Sequence, residues 1–529
     1  MSGPVPVAKA LADIYQPAAL VTQAPRWNGI LTAFESKFGH AASFIARSPG
    51  RVNIIGEHID YSLYSVLPMA ITADAVLAVS AVPASANATG PGTFKVRIAH
   101  YQDARFPASE FEVPLDGAVE IDATKFDWVN YFKSGLRGAL ELLREKHGKG
   151  FRPCSMEILV DGTVPLGGGL SSSAAFVSAS ALAVMVANGE EAVDKKELTE
   201  LAIVSERAVG VNSGGMDQSA SVFSEQGAAL FVSFTPSLSA RPVQFPPTSP
   251  ELCFVIAQSF VTSNKQVTGP IHYNLRVVEC SMTASYLNAV LNPPGTQLPA
   301  DAGPLGISLH GFHDTYFYHN GSASDYDSAK TMSKEAELEK LLELAKETLT
   351  QEEGYTREEV AKVLNMSVAD VEARFMSKLP VRAERFKLRQ RAVHVFSEAL
   401  RVLKFLTLLE QTPRSETAAA DGLGAQLGAL MNETQDSCRD TYECSCPEID
   451  RVCAIARGAG AYGSRLTGAG WGGCTVHLVA VDKVADVKAA LEREYYAGME
   501  LTEEQKEEAV VVSRPAQGSA VYLVKDGAW

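Results

Sequence analysis

Polar and apolar residues alternate over Ser155-Met-Glu-Ile-Leu-Val-Asp161, the period of a strand with one buried face. From Ala174 to Ala187 the pattern becomes a nearly unbroken apolar run, rich in alanine and carrying Leu182 and Met185, which favours helix. Pro165-Leu-Gly167-Gly168-Gly169-Leu-Ser171-Ser172-Ser173 lies between them, so the segment predicts strand, glycine turn, helix. The three-and-four spacing of Val129, Phe132, Leu136, Leu140 and Leu143 predicts an amphipathic helix over 127–147. Leu198, Leu201, Ala202, Ala208 and Val209 predict another from Lys195 to Gly210, and Trp27–Phe38 and Lys334–Thr348 read the same way. Val381–Leu409 predicts a long helix with a basic start, and Thr356-Arg-Glu-Glu359 is a capping box. Further strands are predicted at 43–46, 75–81, 94–98 and 475–480. The proline- and alanine-rich residues 1–24 predict an arm over the surface. The proline-bearing and then polar stretch 290–330 predicts an insertion longer than ordinary loops. The chain is therefore of mixed α/β class.

The glycine segment is the first place where pattern implies chemistry. Three glycines let backbone approach a ligand closely, and the serines open a helix whose free N–H groups favour an anion such as a nucleotide phosphate. No Gly-Lys-Ser/Thr follows, so this is not a Walker A loop, and the spacing is not that of a Rossmann fingerprint. A serine- and glycine-rich helix start without a ligand fits the same residues. Arg51, Glu57, His58 and Asp60 crowd four ionisable side chains beside a short apolar run. They suit a pocket for a polyhydroxylated or charged small molecule, or a solvated ion-pair network at a strand end. In Gly210-Val-Asn-Ser-Gly-Gly-Met-Asp217-Gln218, paired glycines could hold Asp217 close to a substrate hydroxyl, or the aspartate could serve the turn alone. Gly463-Ser-Arg-Leu-Thr-Gly-Ala-Gly-Trp-Gly-Gly473 suits a backbone-lined loop over phosphate or sugar, or a structural hairpin.

Composition narrows the partners. The chain has 529 residues, 46% hydrophobic and 21% charged, which allows two or three domains with large cores. A net charge of −15 argues against nucleic acid or an anionic membrane as the main partner. No apolar run approaches the ~18 residues of a membrane span, and the N-terminus lacks a secretory pattern, so a cytoplasmic location is expected. Among the eight cysteines, Cys438, Cys444, Cys446 and Cys453 cluster without paired CxxC spacing or an intervening histidine, which favours incidental or core thiols over zinc.

The run from Pro165 to Ala174 resembles the phosphate-binding motif of the small-molecule kinases that include the galactokinase, homoserine kinase and mevalonate kinase families. Gly50-Arg-Val-Asn-Ile-Ile-Gly-Glu-His-Ile-Asp-Tyr61 is similar to the galactokinase signature, with Ile59 and Ser62 in the form of fungal members. Gly215-Met-Asp-Gln218 and the glycine-rich stretch at 463–474 resemble the family's other motifs. Glu433-Thr-Gln435 departs from the usual glutamate, serine and histidine. The resemblance implies a two-lobed small-molecule kinase fold, with lobes at 25–245 and 246–529 and the active site between them. It implies Arg51 and Asp217 as catalytic residues, with Glu57, His58, Asp60 and Tyr273 joining them on the sugar. Gly167, Gly168, Gly169, Ser171, Ser172, Ser173, Ser263, Asn264 and Lys265 would meet ATP, and Ser173 and Glu206 would hold Mg²⁺. The implied reaction is ATP-dependent phosphorylation of D-galactose at its anomeric hydroxyl by a monomer. The alternatives are an N-acetylgalactosamine kinase and a galactose- and ATP-binding transcriptional co-regulator with a protein partner. The intact Ser171-Ser-Ser-Ala-Ala175 favours catalysis over the last.

Overall fold

The computed structural model describes residues 3–82, 92–122, 127–207, 214–262, 268–319, 331–413 and 418–524. Their strands run β1 (Val7–Ala8), β2 (Phe44–Ile55), β3 (Leu67–Val82), β4 (Thr93–His100), β5 (Ser109–Pro114), β6 (Ser155–Gly162), β7 (Ala228–Ser233), β8 (Ser239–Gln244), β9 (Thr248–Ser249), β10 (Leu252–Gln258), β11 (Ala418–Ala419), β12 (Gly463–Thr467), β13 (Cys474–Ala480), β14 (Val510–Ser513) and β15 (Ala520–Leu523). Seven form one sheet in the order β1-β15-β2-β3-β6-β4-β5, and four form a second in the order β12-β13-β10-β14. β15 pairs antiparallel with β2, Ala520 opposite Arg47, so the end of the chain returns to the first sheet.

Helix α1 (Pro17–Phe38) covers one face of the first sheet and α2 (Val129–His147) with α3 (Ser172–Ala187) the other. Trp27, Ile30 and Phe34 of α1 meet Ile45, Val76, Ala78 and Leu159, while Leu77, Val79 and Ile158 point to the opposite layer. The expected arm contributes β1 and gives way to helix ten residues before Trp27, with proline in the first helical position, where its missing N–H costs no bond. Both faces of β6 are consequently covered, although its alternation predicts one wet face. Its polar side chains are paired: Asp161 accepts from Arg26 at 2.6 Å, and Glu157 meets Arg97 and His40.

Two further departures matter for the site. The strand expected to stop at Ala46 continues as β2 through Pro49 and Gly50 to Ile55, with a register shift between Pro49 and Arg51. Proline has no N–H to give the ladder, and the extra residues of the shift lie on β3, where Ala70 and Asp74 stand opposite Arg51 and Pro49. The long helix expected from Val381 begins at Leu388, because Phe386 instead bridges Tyr355 with backbone bonds of 2.8 and 2.9 Å, and Arg385 donates to the Gly354 carbonyl. The remaining helices used below are α4 (Lys195–Arg207), α5 (Met216–Phe223), α6 (Tyr273–Leu291), α7 (Lys334–Thr348), α8 (Leu388–Gln411) and α9 (Ala420–Asp436). α7 packs on α8, and α9 packs between α8 and β12. In the stretch expected as an insertion, Ile307, Leu309 and Phe312 are buried in the main core, and 320–330 lie outside the described residues.

Candidate active site

Arg51 follows the register shift between β2 and β3 and joins two regions of the site. Its Nε donates to Asp217 Oδ1 at 2.8 Å and its Nη1 to the Gly169 carbonyl at 2.7 Å. Asp217 sits in the first turn of α5, preceded by Gly215 at φ +106°, a conformation that excludes most side chains. A Cβ on Gly214 would lie 2.6 Å from Asp60 Oδ2, so this glycine lets the start of α5 approach the 57–61 turn. The Arg51 side chain is 5% exposed and that of Asp217 20%, which leaves the carboxylate open to a small molecule.

Around that carboxylate stand Glu57, His58, Asp60 and Tyr273. Asp60 accepts from Gly214 N at 3.1 Å, and burial, then the neighbouring Asp217 charge, push it up to about 6. Burial likewise raises Glu57, against the pull of Arg465, which donates to its carboxylate together with Gly468 N at 3.1 Å. Tyr273 opens α6. Burial and the charges of Asp60, Asp217 and Glu57 raise its phenol far above the ordinary range, so it is a hydrogen-bond donor at any working pH. His58 Nε2 lies 3.0 Å from the Ala469 carbonyl, which can only accept, so that nitrogen carries a proton. Nδ1 lies 3.0 Å from the Tyr61 hydroxyl. Both ring nitrogens of His58 thus already have protein partners. Burial disfavours its charge, but Cys444 and Glu57 outweigh burial and raise its pKa.

The other side of Arg51 is built from backbone. Gly167 and Gly169 take φ of +73° and +72°, and Ser171, also left-handed at +59°, caps α3. The loop between β12 and β13 lies directly against this turn. A Cβ on Gly468 would be 2.5 Å from Gly169 O, and one on Gly169 would be 2.9 Å from Thr467 O. A cavity of about 400 Å³ borders Leu166, Gly167 and Gly168 and reaches Arg105, Phe260, Thr262 and Gln505. Ser173 Oγ donates to Glu206, whose other oxygen accepts from Gln218 Nε2, the residue after Asp217. A hydroxyl and a carboxylate are hard oxygen donors of the kind Mg²⁺ prefers, and a nucleotide-bound Mg²⁺ draws its other ligands from phosphates and water. These two residues fit such an ion. Among the described residues no group of three or more His, Cys, Asp or Glu is arranged to hold a metal by itself.

The structure therefore gathers Arg51, Glu57, His58, Asp60, Asp217 and Tyr273 in one cluster. It sets Gly167–Gly169 and Ser171–Ser173 beside them, with Glu206 joined through Gln218. Ser263, Asn264 and Lys265 lie outside the described residues. Sequence reasoning assigned no role to Arg465, His394 or Glu398, all buried behind Glu57. The signal for the last was an acid inside the apolar stripe of α8, between Val395 and Ala399.

Three stretches match known families: residues 32–81 the galactokinase galactose-binding signature, 130–225 the GHMP kinases N terminal domain and 416–497 the GHMP kinases C terminal. With both kinase domains present around a mixed α/β framework, the class is the two-lobed small-molecule kinase of GHMP type. The chain is 43% identical over 511 residues to galactokinase of Saccharomyces cerevisiae, spanning 93% of this chain and 94% of that protein. It is 40% identical over 513 residues to that of Schizosaccharomyces pombe, spanning 95% and 96%. The chain belongs to the galactokinase family, and its resemblance is to the fungal members. The crystal structure of Lactococcus lactis galactokinase complexed with galactose shares the fold, with a TM-score of 0.61 at 22% identity over 93% of this chain and 99% of that one. No described helix is long and apolar enough to cross a membrane.

Proposed function

We propose that this protein transfers the γ-phosphoryl group of ATP to the anomeric hydroxyl of D-galactose, giving α-D-galactose 1-phosphate. The observation that carries the assignment is the double engagement of Arg51, which holds Asp217 on one side and the glycine turn of the phosphate loop on the other. An acceptor hydroxyl at Asp217 and a phosphate at Gly169 would then meet across one guanidinium. Asp217 takes the hydroxyl proton at its carboxylate as the new bond to phosphorus forms and the bond from the γ-phosphorus to the bridging oxygen breaks, releasing ADP. Arg51 orients that carboxylate and offsets charge on the moving phosphoryl group. In a loose transition state such positioning matters more than deprotonation. Asp60 and Glu57 accept from sugar hydroxyls, Tyr273 donates, and His58 completes the wall. A buried polar pocket rejects epimers because a misplaced hydroxyl leaves its partners unpaired.

The N–H groups of Gly167–Gly169 and the start of α3, with the hydroxyls of Ser171, Ser172 and Ser173, bind the nucleotide phosphates. Ser263, Asn264 and Lys265 complete the nucleotide side of this assignment. Ser173 and Glu206 would hold Mg²⁺, which when bound neutralises phosphate charge. Gln218 orients Glu206 for that task. All eight cysteines are free thiols, in keeping with a cytoplasmic enzyme.

The test is ATP consumption by the purified protein with Mg²⁺ and, in parallel, galactose, N-acetylgalactosamine and glucose, beside Asp217→Asn. Turnover on galactose that falls about 10²–10⁴-fold in the variant is the expected result. Preference for N-acetylgalactosamine would replace the substrate. Binding of galactose and ATP without sugar phosphate would replace the enzyme with a regulator.

A further inference from the structure

Helix α8 belongs to the 226–415 stretch that lies between the two matched kinase domains, yet it touches the sugar side of the site at three points. Glu398 Oε1 accepts from two consecutive peptide N–H groups, Gly56 at 2.8 Å and Glu57 at 3.1 Å. One turn earlier, His394 Nε2 lies 2.9 Å from the Glu57 carbonyl and Nδ1 lies 2.9 Å from Ser437 Oγ. The carbonyl can only accept, so Nε2 carries the proton, and burial holds the ring neutral by pushing its pKa down to about 3. Nδ1 therefore accepts from Ser437. One turn later, Val402 would meet a Cβ on Gly56 at 3.0 Å, as would Val66 from the opposite side. His394, Glu398 and Val402 follow the four-residue spacing that puts side chains on one helix face.

Neither side chain is spare. Glu398 Oε2 accepts from Arg401 Nε at 2.8 Å and Thr434 Oγ1 at 2.9 Å, so this fully buried carboxylate is satisfied on every side. The peptide that carries Glu57 is thus held at both its N–H and its C=O from a helix more than three hundred residues away in sequence. Arg465 and Gly468 hold the side chain itself. A sugar ligand fixed to within a fraction of an ångström needs such backing.

We propose that Glu398, supported by His394, is a positioning residue for galactose: it sets the backbone of Glu57 and thereby the placement of the Glu57 and His58 side chains against the sugar. The inference rests on the assignment of Glu57 as a sugar ligand. It predicts that damage at Glu398 appears in sugar binding before it appears in the chemical step.

The experiment compares Glu398→Ala, Glu398→Gln, Arg401→Gln and Glu57→Gln in the full chain, with KM for galactose, KM for ATP, kcat and the unfolding temperature measured for each. Glu398→Ala should raise KM for galactose about tenfold or more, the loss of two bonds to a charged acceptor, while KM for ATP and kcat change by less than about threefold. Glu398→Gln keeps an oxygen for the two N–H groups and should recover most of that loss. Arg401→Gln breaks the ion pair behind Glu398 and should lower the unfolding temperature while sparing KM for galactose. If Glu398→Ala moves both KM values equally, or if Arg401→Gln reproduces its kinetics, the residue is merely structural and the proposal fails. Failure of Glu57→Gln to raise KM for galactose would overturn the ligand assignment instead. A rise in Glu57→Gln without one in Glu398→Ala would overturn the positioning role alone.

Discussion

The two halves of the site that meet at Arg51 are made of different materials. On the side assigned to the sugar the groups offered are side chains, held by side chains and main chain together: Glu57 by Arg465 and Gly468 N, His58 by Tyr61 and the Ala469 carbonyl, Asp60 by Gly214 N. On the phosphate side they are main chain, with the glycine turn at 167–169 and the loop at 468–473 in backbone-to-backbone contact. The first half changes gradually when a charge or hydrogen bond is altered. The second responds to space, and a single methyl group decides whether it closes. Gly468→Ala should therefore give the largest effect. The residue takes φ +89°, and its new methyl would press into Gly169 O with no flexible side chain to yield. Left-handed strain and overpacking together are worth about 3 kcal/mol, so kcat/KM for ATP should fall about a hundredfold or more. Initial rates against ATP at saturating galactose check this, and a fall of less than about threefold would mean that the two loops are not in contact.

On the sugar side the corresponding test uses charge. Asp60 is raised to about 6 in the folded protein, first by burial and then by Asp217. An unfolded aspartate titrates near ~3.9, so between about pH 4 and 6 the folded state binds more protons. Stability must then fall as pH rises through that window, and above it Asp60 costs the ligand-free protein about 2–3 kcal/mol. Asp60→Asn should recover most of that at pH 7 while weakening galactose binding. Below about pH 4 the gain should vanish. Urea denaturation of both proteins at pH 4 and 7, with galactose titrations at pH 7, measures the two effects. A variant less stable than wild type at both pH values would show that the buried carboxylate is compensated, and the contrast with the backbone-built half would narrow.

Much of this contrast was legible in the residues. Glycines followed by serines suit a phosphate turn or a helix start without a ligand, and Arg51, Glu57, His58 and Asp60 suit a polar pocket or a solvated ion-pair network. The burial of all four argues against the solvated network. Less legible was anything set by the far side of a contact. The alternation of β6 predicts a wet face, but nothing local to it tells that α1 will pack there and bring Arg26 to Asp161, or that Arg97 of β4 will reach Glu157. Pro49-Gly50 reads as the end of a strand, whereas the neighbouring Leu170 carbonyl, 2.7 Å from where a Cβ on Gly50 would stand, accounts for the glycine, and β2 continues. Arg382 and Arg385 predict the basic start of a helix, yet Phe386 is claimed by Tyr355. His394 and Glu398 draw no role from the helix pattern; Gly56 and Glu57, placed against them by the fold, supply it.

The smallest expected effect separates conformation from contact within the phosphate turn itself. Gly167 has φ +73°, close to that of Gly169, but among the described residues a Cβ there meets only the Thr262 methyl, at an ordinary 3.7 Å. Gly167→Ala thus adds left-handed strain without a collision, about 1–2 kcal/mol, less any offset from the lower entropy of alanine in the unfolded chain. KM for ATP should rise only several-fold, with KM for galactose unchanged. If Gly167→Ala were as damaging as Gly468→Ala, the glycines would be required for backbone conformation alone. If it were nearly silent while Gly468→Ala were not, the close approach of the two loops would be what demands glycine, and the phosphate half would be defined by its packing across the cleft rather than by its own turn.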